Sequence, residues 1–248
     1  MKDGNDVFKS FRNSFDKING HFHILEQRVP VERQMEYFKY SAKVRKELEL
    51  PVVSNMDFSV FQEDLDNPDS SVEQKKYLLS VLATSHKVEA YRILEEYAQA
   101  PDPAIADWAY MALMESRISL ESDFSDEKQI YISTGLGGKG ERLRFEVLIL
   151  ANELKPFKDY QCEVIKQEFP YLLEKVDCEV ERLVVGEKYV ELLFLISVRA
   201  DIKYTLDRII AECNEYGNFL STTFTITNVK EFSQEEIEEL IRKNERNS

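Results

Sequence analysis

The residues best suited to chemistry lie in a glycine-rich segment at positions 134–144. Its four glycines expose backbone N–H groups and its three cations add positive charge, a combination that can hold a phosphate or a carboxylate. A ligand site here would use Thr134, Gly135, Gly137, Gly138, Lys139, Gly140, Arg142 and Arg144. The pattern differs from a P-loop, in which Ser or Thr and then a helix follow the lysine. A hairpin loop with glycines at left-handed backbone angles is the alternative.

The histidines and cysteines give weaker signals. His21 and His23 could share a strand face and bind a metal with Glu26, but two histidines are too few for a site. No histidine follows His86, which excludes a Ser/His/Asp or Cys/His site built within the second half. The three cysteines lie in or beside apolar stretches and suit reduced thiols of a cytoplasmic protein: Cys162, Cys178 and Cys213. We therefore predict no catalytic residue, no metal and no cofactor.

The charge distribution disfavours nucleic acid as a partner. The net charge is −14, and residues 51–129 alone carry six Lys or Arg against sixteen Asp or Glu. An acidic middle repels a phosphate backbone, although a local basic patch is compatible with it. No apolar run approaches the roughly 20 residues that span a bilayer, so we also expect no membrane contact.

The first half of the chain has helical spacing. Apolar residues from Phe8 to Ile18 predict a first helix, and five further helices are predicted over residues 31–48, 58–65, 72–84, 87–100 and 103–120. A capping box of Ser70 and Glu73 begins the helix at residue 72. The turn Pro101-Asp102-Pro103 and the small residues of segment 72–119 resemble HEAT-like α-solenoid repeats. This resemblance implies a helical-repeat domain that binds a protein partner.

The second half changes to alternating strand patterns separated by two helices. The predicted order β-α-β-β-α-β resembles a ferredoxin-like domain, which implies an antiparallel sheet with helices on one face. The other face must be covered, by the helical half or by a second copy in a homodimer. A last helix begins with a capping box of Ser233 and Glu236.

The sequence therefore predicts an α+β protein of two domains, a helical HEAT-like domain at 1–125 and a ferredoxin-like domain at 126–248. Since no reactive set converges, we expect a non-enzymatic interaction or scaffold protein. Its partner would contact an acidic side of the helical half, formed by Asp64, Asp66, Asp69, Glu95 and Glu96. The alternatives are a regulatory protein that binds a small anion at the glycine-rich loop and, less favoured, an enzyme acting on an anionic substrate.

Overall fold

The computed structural model describes three stretches of the chain: 21–48, 56–125 and 129–246. The helix predicted between Phe8 and Ile18 lies outside these residues. The described residues form two compact units, one within residues 21–132 and one within residues 133–246. The division predicted after residue 125 stays a prediction.

The first unit, called the helical unit, has its described helices between two short strands. The elements are β1 (His21–Ile24), α1 (Val31–Glu47), α2 (Ser59–Asp66), α3 (Val72–Thr84), α4 (Val88–Tyr97), α5 (Ala106–Phe124) and β2 (Gln129–Ile132). The five helices predicted between residues 31 and 120 are confirmed, with their ends shifted by a few residues. Apolar spacing at the helical period therefore located them correctly.

The start of α3 differs from the prediction by one residue. Ser71 caps the helix, accepting a hydrogen bond from Gln74 N at 3.3 Å, while Gln74 Oε1 accepts one from Ser71 N at 2.8 Å. Ser70 instead closes the preceding turn, donating its N–H to Asn67 O at 3.2 Å. Both serines precede Glu or Gln by three residues, so the capping-box spacing cannot choose between them.

Trp108 of α5 is central to the core of the helical unit. The rings of Tyr37 and Tyr40 lie edge-on to it, with centroids at 5.2 and 5.3 Å. Its indole Nε1–H donates to Ser80 Oγ at 3.1 Å and to Lys76 O at 3.2 Å. The single tryptophan of the chain is therefore both packed and hydrogen-bonded, as a buried indole requires.

A buried carboxylate ties α1 to α5. Glu115 Oε2 accepts hydrogen bonds from Tyr37 Oη at 2.6 Å and from Ser41 Oγ at 2.5 Å. Arg45 donates to the other oxygen of the same carboxylate. Each polar atom of this carboxylate thus has a partner, which offsets the cost of burying it.

Strands β1 and β2, the first and last described elements of the helical unit along the chain, pair in parallel. His21 is in register with Gln129 and Ile24 with Ile132. The pairing joins segments that are more than a hundred residues apart. It also places His23 beside Tyr131, and the two rings stack with their centroids 5.9 Å apart. The sequence predicted both extended segments but not their pairing.

The second unit, called the sheet unit, is a curled antiparallel sheet packed with helices. Its elements are β3 (Gly138–Lys139), β4 (Arg142–Ala151), a 3-10 turn (Asn152–Leu154), α6 (Asp159–Glu174), β5 (Glu179–Val185), β6 (Tyr189–Ser197), α7 (Ile202–Asn214), β7 (Leu220–Thr227) and α8 (Gln234–Glu245). The strands lie in the order β5-β6-β4-β7, and β3 also pairs with β4. Shifts of register occur in β4 between Ile149 and Ala151, and in β5 between Val180 and Arg182.

The two faces of this sheet differ in chemistry. One face is apolar and almost fully buried, as Phe145 and its register partner Phe194 illustrate. Alternation along each strand places the charged residues Arg144, Glu146 and Glu191 on the opposite face, called here the polar face. Helices α6 and α7 bury apolar side chains and pack against each other and against the outer strands.

Helix α8 is connected to the polar face at both ends. Before its start, the N–H of Phe232 donates to the Glu146 carboxylate, and near its end Glu245 pairs with Lys188 at 3.3 Å. Its Ile237 is buried. The predicted capping box of Ser233 and Glu236 is confirmed.

The general architecture is therefore as predicted: an α+β protein with a helical first part and an antiparallel sheet packed with helices in the second. Among the described residues, every helix is too short or too polar to span a bilayer.

Candidate functional site

The glycine-rich segment packs against the strand end that precedes α8. Leu136 N donates to Asn228 O at 3.1 Å, and a Cβ at Gly135 would lie 1.7 Å from Val229 O. Gly137 and Gly140 have positive φ angles of 67° and 58°. The glycines thus permit a close backbone approach and two left-handed turns, the alternative that the sequence left open.

The three cations of this segment are all paired with carboxylates. Lys139 Nζ lies 2.9 Å from Glu179 Oε1, and Arg142 Nη2 lies 2.7 Å from Asp177 Oδ1. Arg144 forms two hydrogen bonds with Glu181, at 2.5 and 2.7 Å, and a third with the carbonyl of Leu136 at 2.6 Å. The eight residues predicted to bind a ligand lie close together, but their cations face protein acids. Their role as ligand contacts stays a prediction.

A second charged group lies on the polar face and was missed from the sequence. Arg182 Nη2 lies 2.8 Å from Glu146, 2.6 Å from Glu191 and 2.7 Å from Glu231. One guanidinium therefore serves three carboxylates, which leaves this cluster with a net negative charge. In the sequence, Glu146 alternates with the apolar residues of β4, and this pattern is typical of a side chain that faces solvent.

The carboxyl group of Glu146 has a strongly raised pKa. Its side chain is fully buried, and this burial, with repulsion from Glu191 and Glu231, raises its pKa to about 7. Hydrogen bonding from Phe232 N and the charge of Arg182 act in the opposite direction. A carboxyl group with this pKa changes its protonation state near neutral pH.

A polar recess of about 350 Å³ lies beside the cluster, between the end of β4, strand β7 and the end of α8. Its lining includes hydroxyl and amide side chains, namely Asn152, Ser221, Thr223, Thr225 and Asn244. The apolar Leu148 and Leu150 also line it, and Glu153 is its one acidic lining residue among those described. The recess can therefore offer neutral hydrogen-bond donors and acceptors to a ligand.

Three exposed cations lie at the C-terminal end of α8, within about one helical turn of Asn244: Arg242, Lys243 and Arg246. Within the described part of the chain, none of the three has a carboxylate within ion-pair distance. They differ in this respect from the cations of the glycine-rich segment. This cation group at the end of α8 is available to a ligand anion.

His23 and His86 form side-chain contacts within the helical unit. His23 Nε2 lies 2.8 Å from Gln129 Oε1 and 2.7 Å from Glu121 Oε2, and His86 Nδ1 lies 2.7 Å from Asp123 Oδ2. Among the described residues, no group of three potential metal ligands converges.

The cysteines are free thiols. Burial raises the pKa of Cys178 to about 11 and that of Cys213 to about 12. Both thiols therefore carry little of the reactive thiolate at neutral pH.

Comparison with known proteins gives distant likenesses of fold. No family model matches the chain, and no curated relative was found. A candidate transposase from Deinococcus radiodurans R1 has a similar structure, with a TM-score of 0.37, 17% identity, and coverage of 44% of this chain and 95% of that protein. A REP-associated tyrosine transposase bound to a REP hairpin has a TM-score of 0.32, 13% identity, and coverage of 47% and 68%. At these scores the likeness carries no argument about the activity of this chain.

The predicted family resemblances are wrong. The similar structures are transposases, and nothing assigns the chain to HEAT-like repeats or to a ferredoxin-like family. Helix length, proline turns and small residues recur in many helical proteins. The strand order is likewise shared by unrelated proteins, so neither pattern decides a family.

The predicted function and partners are also wrong. The comparisons return neither a scaffold protein nor a protein partner; the two similar structures are described as transposases, one of them bound to a REP hairpin. The two predicted alternatives, an anion sensor and an enzyme for an anionic substrate, are contradicted together with the scaffold. A homodimer through the open sheet face is withdrawn because helix α8 of the same chain is attached to that face.

Proposed function

We propose that the sheet unit binds a short single strand of nucleic acid in the cytoplasm. The cation group at the end of α8 would contact phosphates, and the polar recess would receive one nucleoside. The observation that carries the proposal is that the last turns of α8 contribute Asn244 to a recess lined by hydroxyl and amide groups and also carry three unpaired, exposed cations. Lys, Arg, Ser, Thr and Asn side chains supply most protein contacts to phosphate and sugar.

The recess suits an uncharged part of the ligand. The hydroxyls of Ser221, Thr223 and Thr225 and the amides of Asn152 and Asn244 can pair with sugar hydroxyls and base edges. Its volume of about 350 Å³ lies at the lower end of the range for small-molecule sites. A single unstacked nucleotide is therefore a better occupant than a paired one.

Charge around the recess favours a short single strand over a duplex. The first turns of α8 carry Glu235, Glu236, Glu238 and Glu239, so the positive surface is limited to the last turn of the helix. A duplex would bring many phosphates towards these acids and be repelled. A flexible strand can follow the basic end alone.

The same cations also stabilise the C-terminus of α8 through the helix dipole, which needs no ligand. The two roles predict different results. A purely structural role changes the stability of the sheet unit without changing binding, whereas phosphate contacts change the salt dependence of binding.

Fluorescence anisotropy with labelled single-stranded, hairpin and duplex oligonucleotides tests the proposal. The variant Arg242→Gln/Lys243→Gln/Arg246→Gln should weaken single-strand binding. It should also make the negative slope of log K against log salt shallower by about 2, since each lost phosphate contact removes about 0.7 from its magnitude. A control variant, Lys39→Gln/Lys87→Gln/Arg92→Gln, removes three exposed cations of the helical unit and should bind normally. Absence of binding by the unmodified protein at 50 mM salt, or equal losses in both variants, would refute the proposal.

A further inference from the structure

The Glu146 cluster lies where the chain enters α8. The N–H of Phe232 donates to the Glu146 carboxylate, and Arg182 holds the neighbouring Glu231 at 2.7 Å. Residues 231 and 232 are therefore attached to the sheet by one buried carboxyl and one guanidinium. Both attachments precede the first residue of the helix, Gln234.

The rest of α8 has one buried residue, Ile237, two partly buried apolar residues, Leu240 and Ile241, and an ion pair at its far end. Among its described residues only Ile237 is fully buried, and the Lys188–Glu245 pair at its far end is partly exposed. An exposed ion pair contributes little, on the order of 1 kcal/mol or less. The contact at Glu146 is therefore one of several that keep α8 on the polar face, and it is the one that involves a buried carboxyl group.

We propose that Glu146 and the chain at Phe232 form a proton-sensitive latch, which holds α8 on the sheet while Glu146 is protonated and releases it as Glu146 ionises. The charged groups that face Glu146 decide the direction. Arg182 from β5 faces it, as do Glu191 from β6 and Glu231 from the connection to α8. Ionisation of Glu146 strengthens the hydrogen bonds that it accepts from Phe232 and Arg182. It also leaves three carboxylates around one guanidinium at a buried position, and the cost of burial and repulsion exceeds that gain.

The sign follows from proton linkage. Burial first, and then the two neighbouring carboxylates, raise the pKa of Glu146 to about 7 when α8 is in place. An exposed glutamate has a pKa of about 4.3, so the attached state binds the proton more tightly than the released state. Attachment is therefore strongest at low pH and is weakened as the pH rises through about 7.

The latch has a consequence that rests on the proposed function. Release of α8 would remove Asn244 from the recess and move the cation group away from it. Binding of a single strand would then be tighter at pH 6 than at pH 8. The latch itself does not depend on nucleic acid.

Hydrogen exchange of residues 232–246 in the full chain, without nucleic acid and corrected for the intrinsic effect of pH, tests the latch. The ratio of released to attached α8 should rise about tenfold between pH 6 and pH 8. Glu146→Gln mimics the protonated form and should keep exchange slow and independent of pH. Glu181→Gln, which removes the acid paired with Arg144 and keeps Glu146, Glu191 and Arg182, is the matched control and should retain the tenfold rise.

A third variant keeps the test decisive if Glu146→Gln folds poorly. Glu191→Gln removes one carboxylate that repels Glu146, so the midpoint of the rise should move to lower pH. Exchange that does not vary between pH 6 and pH 8 in the unmodified protein, or a full rise in Glu146→Gln, would overturn the latch. Since this assay contains no nucleic acid, its failure is separate from failure of the binding proposal.

Discussion

Replacement of Gly135 by Ala should push residues 135 and 136 away from residues 228 and 229, against which they pack. The new Cβ would lie 1.7 Å from the carbonyl oxygen of Val229, and 2.7 Å from the carbonyl carbon. Both are backbone atoms, so no side-chain rotation relieves the clash. The segment must move away from residues 228 and 229.

The cost can be worked from the contacts that this movement breaks. The hydrogen bond from Leu136 N to Asn228 O contributes about 1 kcal/mol, and the side chain of Leu136, which is 3% exposed, contributes about 2 kcal/mol through burial. We expect Gly135→Ala to lower the free energy of unfolding by about 3 kcal/mol. Gly140→Ala is the control, because nothing lies within 4 Å of its added Cβ. Its φ of +58° costs about 1 kcal/mol in an alanine.

Urea denaturation followed by circular dichroism would give the two free energies. Hydrogen exchange at the amide of Leu136 would give the local effect, since only Gly135→Ala should expose it. Equal stabilities of the two variants, or an amide of Leu136 that stays protected in Gly135→Ala, would refute the close approach as the reason for this glycine.

Two further predictions concern buried groups. Glu115→Ala should lower the free energy of unfolding of the helical unit by about 3 kcal/mol, because it leaves two buried hydroxyls without an acceptor. Tyr37→Phe should lower it by only about 1 kcal/mol. Urea titrations followed by Trp108 fluorescence measure both values, and equal values would contradict the reasoning. At pH 8, iodoacetamide should label Cys162 before Cys213, because burial raises the pKa of Cys213 to about 12 and Cys162 is less buried. Mass spectrometry of tryptic peptides measures the order, and earlier labelling of Cys213 would contradict it.

Local patterns predicted most of the elements because local energies determine them. The alternation at the start of β4 and the cap of α8 at Ser233 depend on residues close in sequence, and both are present in the structure. The parallel pairing of β1 with β2 depends on how the helices between them, five in the described residues, pack together. No local signal records it.

The candidate site was predicted in part for the same reason. The glycines and cations of residues 134–144 are visible as a motif, but their acidic partners lie about forty residues away on β5 and its preceding turn. The cluster around Arg182 combines residues of three strands, β4, β5 and β6, and of the connection to α8. The hairpin of β5 and β6 places Arg182 near Glu191, nine residues later, and this spacing across a turn was the one available sign.

The parallel pairing of β1 and β2 has a mechanical consequence. The chain enters the helical unit at the start of β1 and leaves it at the end of β2, so tension applied between these two points pulls the strands along their length in opposite directions. All the hydrogen bonds between them are then loaded together, rather than opened one after another. Unless β1 and β2 slide apart, the helices described between them carry little of the applied force.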